Sequence, residues 1–255
     1  TKDGGLAGPR VLEHTVDTVM HFEGDRDGAL RLLRVIKHRF GATDRVGMFR
    51  MTKRGIESLD DPSGLLLADR QAGVPGSAVV AVLEGHRPVL VEVQALVSPR
   101  PAGSGGFGTR TVTGLVPRRI DLILAVLAQR AQLDLSSADV FVSVAGGLTV
   151  REPAADLAIA AAVVSSATLR AVPGDVMMLG EVGLTGELRS VPEPSRRISE
   201  AARLGFSRIV APRDRSVRPA GGEVEWARSA RLQQVATLGE AMHAMSLQDA
   251  GLRAV

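Results

Sequence analysis

Apolar positions along this chain fall into short runs broken by glycine, proline and charge. The first run ends in Val16, Val19, Met20 and Phe22, which predicts a buried strand; Asp25-Arg26-Asp27-Gly28 then reads as a polar turn. Residues 30–40 mix apolar and basic positions and fit a helix or a strand by pattern alone. As a strand, their period of two puts Leu33, Val35, Lys37 and Arg39 on one face, and Gly41 lets the chain turn. A segment of about fifty such residues buries too little surface to fold alone, so residues 1–52 read as the end of a larger domain.

A second region, residues 53–255, interleaves strands and helices, and its last thirty or so residues read as a tail. Residues 79–83 and 89–97 are rich in branched apolar side chains and predict a hairpin around Gly85. Residues 99–109 carry Gly103, Gly105, Gly106 and Gly108. A phosphate-binding loop needs a strand before it, a helix directly after it and a lysine; no lysine follows, so a mobile surface loop is expected. Ile120, Leu124, Leu127 and Ala131 share a helical face, 140–144 is a short strand, and Asp156–Thr168 is apolar enough for a buried helix. Residues 176–179 and 184–188 predict paired strands around Gly180 and Gly183. A helix over 195–204 stops at Gly205, a strand follows over 208–211, and a last helix covers 238–245. The fold class expected is α/β (α+β) with a mixed sheet.

Composition narrows the chemistry. Apolar residues make up 45% and charged residues 23%, as in ordinary globular chains. No run approaches the ~20 apolar residues that span a bilayer, so no membrane partner is expected. The start has neither a basic leader nor an apolar secretory core, and its lack of Met predicts a fragment of a longer protein. The absence of cysteine excludes disulfides, thiol nucleophiles and cysteine-based zinc sites, and makes the cytoplasm the default location. The five histidines are scattered, and no metal site is expected. Net charge is only +3. Taking the three lysines from the 31 basic residues leaves 28 arginines, a composition that fits a GC-rich genome and also suits phosphate contacts.

Two stretches carry a family resemblance. The opening, from Thr1-Lys2-Asp3-Gly4-Gly5 through Val16-Asp17 and Phe22-Glu23-Gly24-Asp25, resembles the late part of the RecA-like ATPase core in the bacterial RadA (Sms) family. Lys37-His38-Arg39-Phe40-Gly41 resembles that family's Lys-Asn-Arg-Phe-Gly signature, with His38 where the family has Asn. Further on, Gln94-Ala95-Leu96-Val97, Pro117-Arg118-Arg119, the run from Leu179 to Arg189 and Glu200-Ala201-Ala202-Arg203-Leu204-Gly205-Phe206 resemble the family's Lon-protease-like domain, of the ribosomal S5 domain 2 type.

The resemblance implies a hexameric, ATP- and magnesium-dependent motor that acts with RecA on single-stranded and branched DNA, preceded by a zinc finger. Residues 1–52 would then be the end of the ATPase core and 53–255 the Lon-like domain. Walker A needs lysine followed by Ser or Thr, but Lys2, Lys37 and Lys53 precede Asp3, His38 and Arg54. The family's peptidase serine falls at Ala154, and no lysine follows Lys53, so the Ser-Lys dyad is absent. The catalytic expectation therefore rests on Lys37 and Arg39, reaching in trans to ATP on a neighbouring subunit. Arg110, Arg118 and Arg119, beside the glycine-rich stretch, are candidate DNA contacts; ordinary surface charge explains them equally well. A structural oligomerisation domain that never touches DNA is the alternative.

Overall fold

A computed structural model describes residues 11–24, 30–100, 106–214, 217 and 225–245. The predicted turn at 25–28, Gly103 and Gly105, the opening ten residues and the last ten lie outside the described residues. The chain divides into two units: residues 1–60 with 84–87, and 61–83 with 88–255.

In the first unit a short helix α1 (Val11–Thr15) leads into an antiparallel sheet of β1 (Thr18–Glu23), β2 (Leu30–His38), β3 (Val46–Thr52) and β4 (Gly55–Ser58), in that order. The ambiguous stretch at 30–40 is thus a strand. The expectation of burial for the first run is overturned: Val16, Met20 and Phe22 are 42%, 57% and 45% exposed. The reason is topological. Strand β1 lies at the sheet edge, and Met20 and Phe22 share a face with Leu33, Phe49, Met51 and Ile56 that no described element covers. Burial in this unit falls to Leu30, Leu32 and Met48 on the opposite face. The division expected at residues 52 and 53 passes through the turn of the β3–β4 hairpin, whose pairing keeps Gly55–Ser58 with the first unit.

The second unit opens with α2 (Pro62–Leu67), capped by the Asp61 carboxylate on the Gly64 N–H. Strands β5 (Ser77–Glu84), β6 (Arg87–Ser98) and β7 (Arg110–Thr113) follow, then helix α3 (Pro117–Arg130), strand β8 (Asp139–Val144) and helix α4 (Asp156–Thr168). After them come β9 (Val176–Met178), β10 (Glu181–Val182), β11 (Leu188–Arg189), α5 (Pro194–Arg203), β12 (Arg208–Pro212), β13 (Arg231–Val235) and α6 (Leu238–Ala244). Seven strands form one sheet in the order β13-β12-β9-β5-β6-β8-β7. The pairs β13–β12, β12–β9, β9–β5 and β8–β7 are parallel and β6–β8 is antiparallel, so the class is mixed α/β as expected.

Local sequence explains most of these elements. Helix α3 starts on Pro117, whose missing N–H costs nothing at the first turn. It buries Ile120, Ile123, Leu124 and Leu127 at helical spacing, each worth about 1.5–3 kcal/mol relative to exposure. Residues 156–166 of α4 are all buried, so this helix is the unit's central core element. Helix α5 ends where Gly205 adopts φ +85, a conformation glycine reaches without strain.

One expected pairing is corrected. Residues 176–179 do not pair with 184–188: β9 joins the large sheet, and the hairpin is instead β10 with β11. Gly180 packs against the Pro212 ring, and the turn lies at Gly183–Glu187, where the Glu187 carboxylate accepts from the Thr185 N–H at 3.1 Å. Side-chain bonding within the turn, rather than the paired glycines, sets its position.

Strands β9 and β12 are clipped at their starts by Asp175, which accepts from Arg208 Nε and Nη2 at 3.0 and 2.9 Å and from Ser207 Oγ at 2.5 Å. The Arg208 bonds, then Ser207, hold the Asp175 carboxyl far below its ordinary value. A carboxylate depressed in the fold stabilises fully above its unfolded pKa, and that share is lost as pH falls through the folded pKa. The gap in thermal stability between the wild type and Asp175→Asn should therefore be full above about pH 5 and shrink steadily toward lower pH. Melts across that range check it; a gap that widens on acidification would contradict the assignment.

Candidate functional site

Strand β2 carries Lys37 to the edge pairing of the first sheet. Val19 lies opposite Lys37 and Met20 opposite Val35, so a bulge falls here. Lys37 Nζ donates to the Glu13 carbonyl at 2.8 Å and the Val16 carbonyl at 2.9 Å. Arg39, just past the strand, donates its backbone N–H to the Asp17 carbonyl at 2.9 Å and Nη1 to Asp17 Oδ1 at 3.2 Å. Its guanidinium carbon lies 5.5 Å from the centroid of the Phe40 ring. The two cations thus converge on one segment, residues 13–17, by different routes. Arg39 is 70% exposed at its side chain and, among the described residues, spends one of its five N–H donors on Asp17, while Lys37 spends two of three. Donors therefore remain free for an anion from outside.

The neighbours of this pair have structural tasks. His38 Nδ1 is hydrogen-bonded to Thr18 Oγ1 at 2.9 Å, tying the strand end to β1. A Cβ at Gly41 would lie 2.5 Å from the exposed His38 ring, so a larger residue there would push that ring aside. Phe40 is 75% exposed, an apolar ring left at the tip beside the Arg39 cation.

In the second unit the three candidate arginines are placed very differently. Arg118 is exposed at the start of α3. Arg119, its neighbour, turns inward and binds the fully buried Asp156 with both forks, Nε to Oδ1 at 2.6 Å. This bond raises the Arg119 pKa, while burial pushes the Asp156 carboxyl up against the pull of Arg119 and the Val182 N–H. Arg110 donates to the carbonyls of Ala138 at 2.5 Å and Leu135 at 2.7 Å. Arg110 and Arg119 therefore hold the scaffold together, and Arg118 presents its charge to solvent.

Ala154 is buried at the entry to α4, where its carbonyl accepts from the Gly180 N–H. Close to it in sequence, Glu152 forms a forked ion pair with Arg197, at 2.8 and 2.7 Å. Arg197 is fully buried and also donates to the carbonyls of Ala81 and Pro192; Glu152 accepts from the Leu83 N–H at 2.7 Å. Sequence reading missed Glu152, Asp156 and Arg197. The available signal was charge isolated in apolar surroundings: Asp156 opens a helix with no other charged residue. Among the described residues no group of His, Asp or Glu is arranged to hold a metal, and no helix is long and apolar enough to cross a membrane.

A family profile described as subunit ChlI of Mg-chelatase matches residues 118–215, from the start of α3 past β12. The DNA repair protein RadA of Mycolicibacterium smegmatis is 49% identical over 224 residues, 88% of this chain and 47% of that protein. That of Halalkalibacterium halodurans is 47% identical over 83% of this chain and 46% of its own length. The Listeria monocytogenes relative is 44% identical over 95% and 51%. The chain spans about half the length of the curated relatives it matches. At this identity and coverage, the chain belongs to the RadA family of bacterial DNA repair proteins.

Proposed function

We propose that this chain is the rear half of a cytoplasmic DNA-repair and recombination motor, an ATP-dependent machine acting with RecA on single-stranded and branched DNA. In this reading residues 1–52 end the RecA-like core and 53–255 form a Lon-like domain that has lost peptidase chemistry, with Ala154 at the nucleophile position. The observation that carries it is the convergence of Lys37 and Arg39 on residues 13–17 with donors to spare. The chain's own residues do not fit an ATP site, because none of its lysines precedes Ser or Thr. Nucleotide and magnesium belong to the other half of the parent, and a zinc finger would too, since this chain has no cysteine. What this chain adds is positive charge: an ammonium and a guanidinium offered to phosphate held by the adjacent subunit of a homo-hexamer.

The second unit adds a surface for DNA, with Arg118 as the contact and Arg110 and Arg119 framing it. That Arg110 and Arg119 are committed to internal partners favours the alternative, an oligomerisation scaffold that leaves DNA alone. A salt titration of DNA binding by the assembled protein separates the two. Arg118→Glu should weaken binding and lower the slope of log affinity against log salt by about one contact, without preference for base sequence. Unchanged affinity and slope would give the scaffold reading its support. Arg119→Ala is unsuitable for this test, because it strands buried Asp156.

A further inference from the structure

The second unit contains a groove of about 540 Å³ on the face of β6 and β8, walled by the segment that carries Asp69. Along β6, alternate residues Glu92, Gln94 and Leu96 line its floor. Glu92 is only 4% exposed, and it accepts from Ser77 Oγ and from Gln94 Nε2, the latter at 2.9 Å. At the other end Leu96 stands directly opposite Phe141 of β8; they are 60% and 40% exposed, an apolar pair open to solvent. Among the described residues no lysine or arginine lines the groove. The adjacent Arg70 feels the Glu92 charge but makes no hydrogen bond to it; its guanidinium donates to the Gly174 carbonyl at 2.9 Å and lies 5.6 Å from the Phe206 ring centroid.

We propose that this groove docks an extended segment of a partner protein, with a basic side chain at Glu92 and Asp69 and an apolar side chain on Leu96 and Phe141. Charge complementarity selects the occupant. Asp69 and Glu92, with Arg70 behind them and no cation among the described lining residues, disfavour phosphate and hence nucleic acid, and a guanidinium fork matches a carboxylate held in place by Ser77 and Gln94. Strand geometry sets the spacing: four residues of β6 span about 13 Å, so an extended ligand matches with its basic and apolar side chains four positions apart. A shift of one position turns the apolar side chain to the wrong face.

The test uses the full chain and a fluorescently labelled, end-blocked peptide, Gly-Arg-Thr-Val-Thr-Leu-Gly, followed by anisotropy. Controls replace its Arg by Glu or move its Leu one position along. The proposal expects the first peptide to bind, both controls to bind at least about tenfold more weakly, and Leu96→Ser or Phe141→Ser in the protein to weaken binding similarly. Glu92→Gln should do the same. If that variant melts early, the exposed Leu96 and Phe141 positions decide the matter alone. Equal binding of the Glu peptide, indifference to Leu96→Ser, or displacement by a single-stranded oligonucleotide each overturns the proposal. So does absence of peptide binding together with self-association that Phe141→Ser abolishes, which would assign the groove to a second copy.

Discussion

Replacing Lys37 or Arg39 by alanine in the full-length parent should lower DNA-stimulated ATP hydrolysis by about 10³-fold or more, with folding and nucleotide binding retained. The size of the effect follows from where the charge would act. A cation that meets phosphate only as negative charge develops on it lowers the barrier without tightening ground-state binding. The small cost to stability follows from exposure. The Arg39–Asp17 pair is open to solvent at both partners, and such pairs contribute little. Among the described residues Lys37 is bonded to backbone carbonyls that solvent can also satisfy. Arg39→Lys should rescue poorly, since a point charge replaces a planar fork. Steady-state hydrolysis with DNA, beside an equilibrium nucleotide titration, measures both halves of this expectation. Loss of nucleotide binding in step with hydrolysis would place these residues in ground-state binding instead.

Arg197→Ala should destabilise the second unit by about 3–5 kcal/mol, the usual cost of stranding one partner of a buried ion pair. Arg197 is fully buried, and its guanidinium serves four acceptors at once: both Glu152 oxygens and the carbonyls of Ala81 and Pro192. Truncation leaves the half-buried Glu152 carboxylate with the Leu83 N–H as its remaining partner among the described residues, and it strands the Ala81 and Pro192 carbonyls. Arg197→Lys should recover little, because three donors on one nitrogen cannot span a fork and two carbonyls. Denaturant unfolding of the chain checks this; a change below about 1 kcal/mol for Arg197→Ala would mean that water or repacking replaces the pair. The pair ties β5, the segment leading into α4 and α5 together, two residues before Ala154 in the chain.

Elements with one dominant local signal were legible in the sequence. Helix α4 was fixed by its unbroken apolar run, α3 by its spacing of branched residues, and the stop of α5 by Gly205. Strand β13 was missed because Gln233 and Gln234 interrupt its apolar character, as an edge strand tolerates. The β10–β11 hairpin was misplaced because its turn is held by Glu187 side-chain bonds, while the glycine that drew attention, Gly180, serves packing against Pro212. Burial of the first run was misjudged for a different reason: period shows which residues share a face, but not whether anything covers it. At the candidate site, the order Lys37 to Gly41 was readable as a motif. The inward turn of Arg119 was not, since its partner Asp156 is 37 residues away and no local pattern links them.

Mixed assembly tests the proposed trans-acting role of Lys37 and Arg39 most directly. One subunit carries Lys37→Ala and Arg39→Ala with its own Walker A intact; the other keeps Lys37 and Arg39 but has a disabled Walker A. Each alone should be inactive. In co-assembled rings, hydrolysis should return, because the intact nucleotide site of one subunit now lies beside the intact cations of the other. Mixed rings as inactive as either parent, with co-assembly confirmed, would contradict the account.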